Sequence, residues 1–131
     1  VKVLALDYGS ARTGVAVSDP SGVIARPLAV VERVGSDRGM EELVKIVRSE
    51  HPERIVVGLP LTLRGERGKQ AQESERFAER LRARVDVPVE SFDERLTTVL
   101  AARTPARSPE DARAAAHLLE SYLTWMARSD G

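Results

Sequence analysis

The sequence predicts an α/β fold built on a mixed five-stranded sheet, three antiparallel strands followed by two parallel ones, with helices on both faces. Three observations carry this expectation. The first apolar run, Val1–Leu6, places Val1, Val3 and Ala5 on one alternating face and Leu4 and Leu6 on the other, as in a strand covered on both sides. A second apolar run, Val15–Val17, follows a short polar turn bracketed by Gly9 and Gly14, which reads as a hairpin. Beyond Gly35 the helical and extended patterns alternate, and such alternation builds parallel strands through right-handed crossovers.

The elements follow in order. Val23–Val31 is a third extended run, and Pro27 inside it predicts an edge strand or a bulge, because proline cannot donate to a central ladder. Gly35-Ser36-Asp37 opens a helix capped by Ser36 or Asp37, with Met40, Leu43, Val44 and Val47 at helical spacing. Pro52 stops it after His51, which reads as a solvated residue at the helix end. Arg54–Gly58 is short and β-branched, the pattern of a buried parallel strand. Leu59–Lys69 reads as a βα connection or as a flap over a site. A helix from Gln70 to Arg84 turns Phe77, Ala78 and Leu81 inward.

Val87–Phe92 is the fifth strand, and Leu96–Arg103 a short helix after it. Ser108-Pro109-Glu110-Asp111 is a strong helix start. This last helix is expected to run to about Ala127, leaving Arg128–Gly131 frayed. Its inward arc holds Ala112, Ala115, Leu118, Leu119, Tyr122 and Met126, with Trp125 beside it as a core residue. At about 100° per residue, Asp111 lies within roughly 40° of Ala115 and about 20° of Leu118 and Tyr122, so it is expected to face the sheet.

Composition narrows the function classes. The chain has 131 residues, enough for one domain with a real core, taken as 1–131. Without cysteine there is no disulfide, thiol or zinc–thiolate chemistry, which fits a cytoplasmic protein. No apolar run is long enough to cross a bilayer, and a strand explains the apolar start better than a signal peptide does. Net charge is zero, with 20 basic and 20 acidic residues, which argues mildly against nucleic-acid binding. The basic residues are nearly all arginine, the side chain better suited to bidentate phosphate contacts.

The chemistry points to carboxylates. Parallel strands place their carboxyl ends along one edge, where ligands bind. Asp7 ends strand one, Asp93 and Glu94 end strand five, and Asp111 opens the last helix. Taken singly, Asp7 reads equally well as a turn aspartate capping Gly9 or Ser10, and Asp111 as a capping-box acid. Converging acids repel, and a divalent cation relieves the repulsion. With no cysteine and no well-placed histidine, the hard ions Mg²⁺ and Mn²⁺ fit best. Two such ions, held by a bridging Asp7 with Glu94 and Asp111 each completing one shell, suit phosphodiester hydrolysis.

Four stretches together carry a resemblance: D-Y-G-S-A-R-T-G-V-A-V-S-D (7–19), V-G-L-P-L-T-L-R-G (57–65) with F-A-E-R-L (77–81), D-E-R-L-T-T (93–98) and D-A-R-A-A-A-H-L-L-E-S-Y-L (111–123). In this order they resemble the YqgF/RuvX family of pre-16S rRNA nucleases, also described as Holliday-junction-resolvase-like. The resemblance implies an RNase H-like fold and a cytoplasmic bacterial nuclease that trims the 5′ end of 16S rRNA, free or within ribosomal particles. It carries the family's acidic positions onto Asp7, Glu94 and Asp111 as catalytic and metal-binding residues, with Asp93 as the neighbouring alternative. Arg12, Arg64 and Arg95 are the substrate-binding candidates, Arg12 and Arg95 because they adjoin the acids. The chain departs from the family pattern before Asp111, where A-A-R-T-P-A-R-S-P-E offers only Arg103 and Arg107 in place of a richer basic stretch.

Rival expectations share the same residues. Cleavage of four-way DNA junctions uses the same chemistry but needs paired sites, hence a dimer; the sequence leaves monomer and dimer open. A non-catalytic ribosome-assembly RNA-binding protein fits the zero net charge. D-Y-G-S-A-R-T-G also resembles the phosphate hairpin of sugar-kinase and actin-like ATPases, which need two such domains where this chain has room for one.

Overall fold

The structure, a computed structural model, describes residues 1–60, 64–66, 68–93 and 110–130, with positions 110–111 and 129–130 described by their backbone alone. Three strands come first: β1 (Val3–Asp7), β2 (Arg12–Ser18) and β3 (Ala25–Glu32). Then follow α1 (Asp37–Glu50), β4 (Arg54–Leu59), α2 (Lys69–Arg82), β5 (Val89–Asp93) and α3 (Glu110–Asp130). The sheet order is β3-β2-β1-β4-β5. β1–β2 and β2–β3 pair antiparallel, and β4 joins β1 and β5 in parallel. This is the expected mixed sheet, with the most apolar strand, β1, at its centre.

Each face has its own core. On one, Leu4, Leu6, Val15, Val31, Ile55 and Val57 pack with Met40, Leu43, Val44 and Val47 of α1 and Phe77, Ala78 and Leu81 of α2. On the other, Val3, Ala5, Ala16, Val56 and Phe92 pack with Ala115, Ala116, Leu118, Leu119 and Tyr122 of α3. The alternation of β1 between the two clusters is the side-chain period of a strand. Among the described residues no helix is long and apolar enough to cross a membrane.

Local chemistry sets the boundaries. The α1 cap is Ser36, whose Oγ accepts from the Gly39 amide at 3.1 Å. The helix ends where His51 takes a left-handed conformation, φ +52°, and donates its amide to the Val47 carbonyl. Pro27 does both things expected of it: β3 is an edge strand, and the β2–β3 register shifts between Val15 and Ala16, next to the Ala16–Pro27 pair.

Four expectations need correction. β3 begins at Ala25 rather than Val23, because the Asp19 carboxylate takes the amides of Val23 (2.8 Å) and Ile24 (2.7 Å) into a turn and leaves those side chains exposed. β5 begins at Val89 rather than Val87, and the Pro88 carbonyl just before it accepts from the Ile55 amide. Trp125 is not core: it is 49% exposed, its ring tilted against Phe92 and Tyr122 at the rim of the arc. Finally, α3 continues to Asp130 instead of fraying after Ala127. The short helix expected over Leu96–Arg103 and the Ser108-Pro109 cap lie outside the described residues.

Candidate functional site

The carboxyl ends of β1, β4 and β5 meet at one edge of the sheet, beside the mouth of the β1–β2 hairpin. Asp7 is the last residue of β1 and pairs with Gly14 across the hairpin. It continues the Val3–Ala5 alternation, so it belongs to the face covered by α3, and it is half-buried there. Its neighbour Tyr8 goes the other way and stacks on Phe77 of α2, ring centres 4.9 Å apart. The chain is thus gripped on both sides of Asp7.

The hairpin turn is tightly built. A Cβ on Gly9 would lie 2.3 Å from the Arg12 carbonyl oxygen, far inside contact distance, so only glycine lets the turn close here. The Thr13 hydroxyl, fully buried, accepts from the Gly9 amide at 3.4 Å and donates to the Gly9 carbonyl at 3.3 Å. The Arg33 amide donates to the Ala11 carbonyl at 3.0 Å and ties the turn to the end of β3. Arg12 opens β2 from this braced turn with its side chain exposed.

Strand register separates the two acids at the end of β5. Leu6 pairs with Val57, and Gly58 with Phe92. One step beyond the Leu6–Val57 pair, Asp7 comes level with Gly58 and Phe92. Phe92 packs in the α3-side core; Asp93, the next residue, alternates to the α2 side. Asp93 is therefore on the opposite face of the sheet from Asp7, while Glu94 lies outside the described residues. Gly58 was not singled out from the sequence. It is buried beside Asp7, and its position at the end of R-I-V-V-G was the available signal.

The remaining candidates are placed unequally. Arg64 is exposed in the turn after β4, next to Gly65 at φ +82°. Arg95 lies outside the described residues. Position 111 is in the first turn of α3, backbone only. Further along α3, Arg54, the first residue of β4, donates to the Tyr122 hydroxyl at 2.8 Å and to Met126 Sδ at 3.3 Å. The later part of α3 thus lies against the start of β4 and, through Tyr122 and Trp125, against Phe92 of β5. Among the described residues no three His, Cys, Asp or Glu side chains gather to hold a metal ion. Of the three expected ligands only the Asp7 side chain is described. It is a hard oxygen donor, the type Mg²⁺ and Mn²⁺ prefer.

Residues 1–125 match a family model described as "RuvX: Holliday junction resolvase". A Chloroflexus aurantiacus protein named "Putative pre-16S rRNA nuclease" is 43% identical over 130 aligned positions, covering 92% of this chain and 85% of its own. Proteins of the same name from Rhodococcus opacus and Maridesulfovibrio salexigens are 43% and 37% identical, covering 96% and 98% of this chain and 79% and 100% of theirs. Among solved structures, Thermus thermophilus RuvC in complex with a Holliday junction substrate superposes with a TM-score of 0.66 at 16% identity, over 98% of this chain and 96% of that one. At that identity the likeness speaks for the fold, the RNase H-like resolvase architecture.

Proposed function

The chain belongs to the RuvX family, and from that premise we propose that it is a metal-dependent endonuclease that hydrolyses RNA phosphodiesters during 5′-end maturation of pre-16S rRNA. The observation that carries this reading is Asp7: a half-buried carboxylate closing the central strand, on the face that α3 covers. The relatives named as pre-16S rRNA nucleases supply the substrate class. We read residues 1–131 as one nuclease domain acting on RNA in the cytoplasm.

In this reading Asp7, Glu94 and Asp111 form the acidic set that would hold Mg²⁺ or Mn²⁺. Glu94 is preferred over Asp93 because strand alternation turns Asp93 to the other face. When bound, the ions supply Lewis-acid stabilisation of the attacking and leaving oxygens of the phosphodiester. The chain's own residues do the rest. Asp7 presents carboxylate oxygens from a backbone gripped by the Tyr8–Phe77 stack and the Gly9–Thr13 turn, so its position costs little reorganisation when substrate arrives. Arg12, exposed on the same turn, pairs with a substrate phosphate and orients the strand without reading its sequence. Arg64 and Arg95 extend that contact along the backbone.

A second reading has its own support: the family model is described as a Holliday junction resolvase. Hydrolysis of a DNA phosphodiester uses the same site, and four-way junction cleavage requires two sites, hence a dimer. The discriminating experiment offers a 5′-extended 16S rRNA precursor fragment and a four-way DNA junction to the same protein with Mn²⁺. Cutting of the precursor with the junction intact supports the RNA reading. Paired cutting of the junction by a dimer overturns it. Precursor binding without cutting, on free RNA and on ribosomal particles, moves the function to a non-catalytic role in ribosome assembly.

A further inference from the structure

We propose that Trp125 is a stacking platform for a base of a single-stranded RNA substrate, beside the Asp7 edge and on the α3 face of the sheet. The inference rests on the reading of that edge as the place where RNA is cut. Among the described residues the exposed large hydrophobics are Val1, Val23, Ile24 and Trp125. Single exposed apolar side chains are ordinary, so position decides what each can do. Val1 precedes β1, and Val23 and Ile24 precede β3. Both strands run antiparallel to β2, so these three lie at the edge opposite Asp7. Trp125 packs instead on Phe92, near the end of β5.

Strand register sets the distance. Gly58 pairs with Phe92, and Asp7 is one step beyond the Leu6–Val57 pair. Phe92 and Asp7 are therefore level and two strand spacings apart, about 10 Å. Phe92 belongs to the core under α3, and Asp7 alternates to the same face. An indole resting on Phe92 is thus a few nucleotides from the carboxylate along a stacked strand, at about 3.4 Å per step.

The ring is held in place yet half-exposed. Its centre lies 5.8 Å from that of Phe92 and 6.0 Å from that of Tyr122, and those two rings meet edge-on at 5.4 Å. Tyr122 is itself fixed, since its hydroxyl accepts from Arg54 Nη1 at 2.8 Å and donates to Glu90. The indole keeps its position without substrate, so stacking a base on it costs little ordering. Stacking accepts any base, because every base has a π face. Arg128 follows three residues on, a neighbour of Trp125 on the helix surface. It is exposed and in no ion pair among the described residues. Helix side chains lean toward the N-terminus, so Arg128 leans over the turn of Trp125, where it can meet the phosphate next to the stacked base. An aromatic face with a cation beside it suits a single strand, whose bases are free to splay out, and not a duplex.

Trp125 is the only tryptophan of the chain, so intrinsic emission reports on this position alone. The test titrates the full chain with a single-stranded fragment of the 5′-extended 16S precursor, in EDTA so that the strand stays intact. Binding is expected to quench the wild-type emission, and the same fragment annealed to its complement should not quench it. Anisotropy of the fluorescein-labelled fragment reads the affinity of variants, with thermal melts to show that each is folded. Trp125→Ala should weaken binding about 5- to 150-fold, the size of one lost stacked base. Trp125→Phe, which keeps a π face, should recover most of that affinity. Arg128→Ala should weaken binding and lower its salt dependence by about one phosphate contact. No binding, binding without quenching, or wild-type affinity in folded Trp125→Ala overturns the platform and leaves the nuclease reading to its cleavage assay. Emission that changes with protein concentration in the absence of RNA, and not with RNA, assigns Trp125 to contact with a second copy and also overturns it. Quenching with Trp125-dependent binding, by a wild type that does not cut the precursor in Mn²⁺, overturns the nuclease reading and leaves the platform standing.

Discussion

Replacing Gly39 with alanine should destabilise the protein, although the same change in an exposed helix usually stabilises it. In a free helix alanine is favoured over glycine by about 1 kcal/mol. Here the new Cβ would sit 2.1 Å from the Arg33 carbonyl oxygen, 2.6 Å from the Arg33 carbonyl carbon and 2.6 Å from the Glu32 carbonyl oxygen. All three are backbone atoms, so no side chain can swing aside, and relief requires a retreat of about 1 Å by the start of α1. That backbone is itself pinned. Arg33 is left-handed at φ +46°, donates its amide to Ala11, and receives both the amide and the hydroxyl of Ser36 on its carbonyl. Overpacking and a disturbed Ser36 cap together cost about 3–4 kcal/mol. Set against the helix preference, the net loss is about 2–3 kcal/mol. For a chain of this size that is a fall in melting temperature of about 6–15 °C. Gly68→Ala is the control, since among the described residues nothing lies within 4 Å of its added Cβ; as the N-cap of α2 it should lose no more than about 1 kcal/mol. Thermal and urea melts read both. A Gly39→Ala protein as stable as wild type would refute the close packing of α1 against the β3 end, and with it the bracing of the turn that carries Arg12.

Two pH dependences follow from the same structure. Burial and the hydrogen bond to Glu90 push the Tyr122 hydroxyl up to about 12 from its ordinary 10.0, with Arg54 opposing. The neutral form is favoured in the folded state, so this contribution to stability is complete below pH 10 and is lost as pH rises from 10 toward 12. Absorbance titration at 295 nm should show a tyrosine ionising near 12 in wild type and missing from Tyr122→Phe; ionisation of that group near 10 would contradict the buried network. Asp19 behaves oppositely. The Ser21 hydroxyl, followed by the amides of Ile24, Val23 and Ser21, holds its carboxyl well below the ordinary 3.8. Its contribution is present above pH 3.8 and is lost as pH falls below it. Denaturant melts of Asp19→Ala should therefore fall furthest short of wild type near neutrality and converge with it in strong acid; a gap independent of pH would remove the charge from the explanation.

Much of the architecture was legible because patterning and burial agree. The double-faced apolar run of β1, the β-branched β4 and the helical spacing of α1 each admit one placement, and each is buried where its period puts it. The errors share a different cause, competition from nearby polar groups or from position on a rim. Val23 and Ile24 look like strand residues, but Asp19 takes their amides into a turn. Trp125 has a core residue's composition, yet it flanks the buried arc, where half of its ring stays in water. At the site, the type and place of Asp7 were legible from the end of an apolar run. The face taken by Asp93 was not, because it depends on pairing register: only the Gly58–Phe92 pair and the core position of Phe92 show that Asp93 turns away from Asp7. Gly58 was hidden for the same reason, since its neighbour Asp7 lies on another strand.

The proposed cut depends on a divalent metal and on Asp7. The decisive measurement compares wild type with Asp7→Asn on a 5′-extended 16S rRNA precursor fragment in Mg²⁺ or Mn²⁺. The substitution keeps the size of the side chain and removes its charge, so the fold should persist while the proposed cation site would lose its central carboxylate. Wild type should cut in a metal-dependent way, with a loss of at least about a hundredfold in the variant. Equal cutting by both proteins would contradict it.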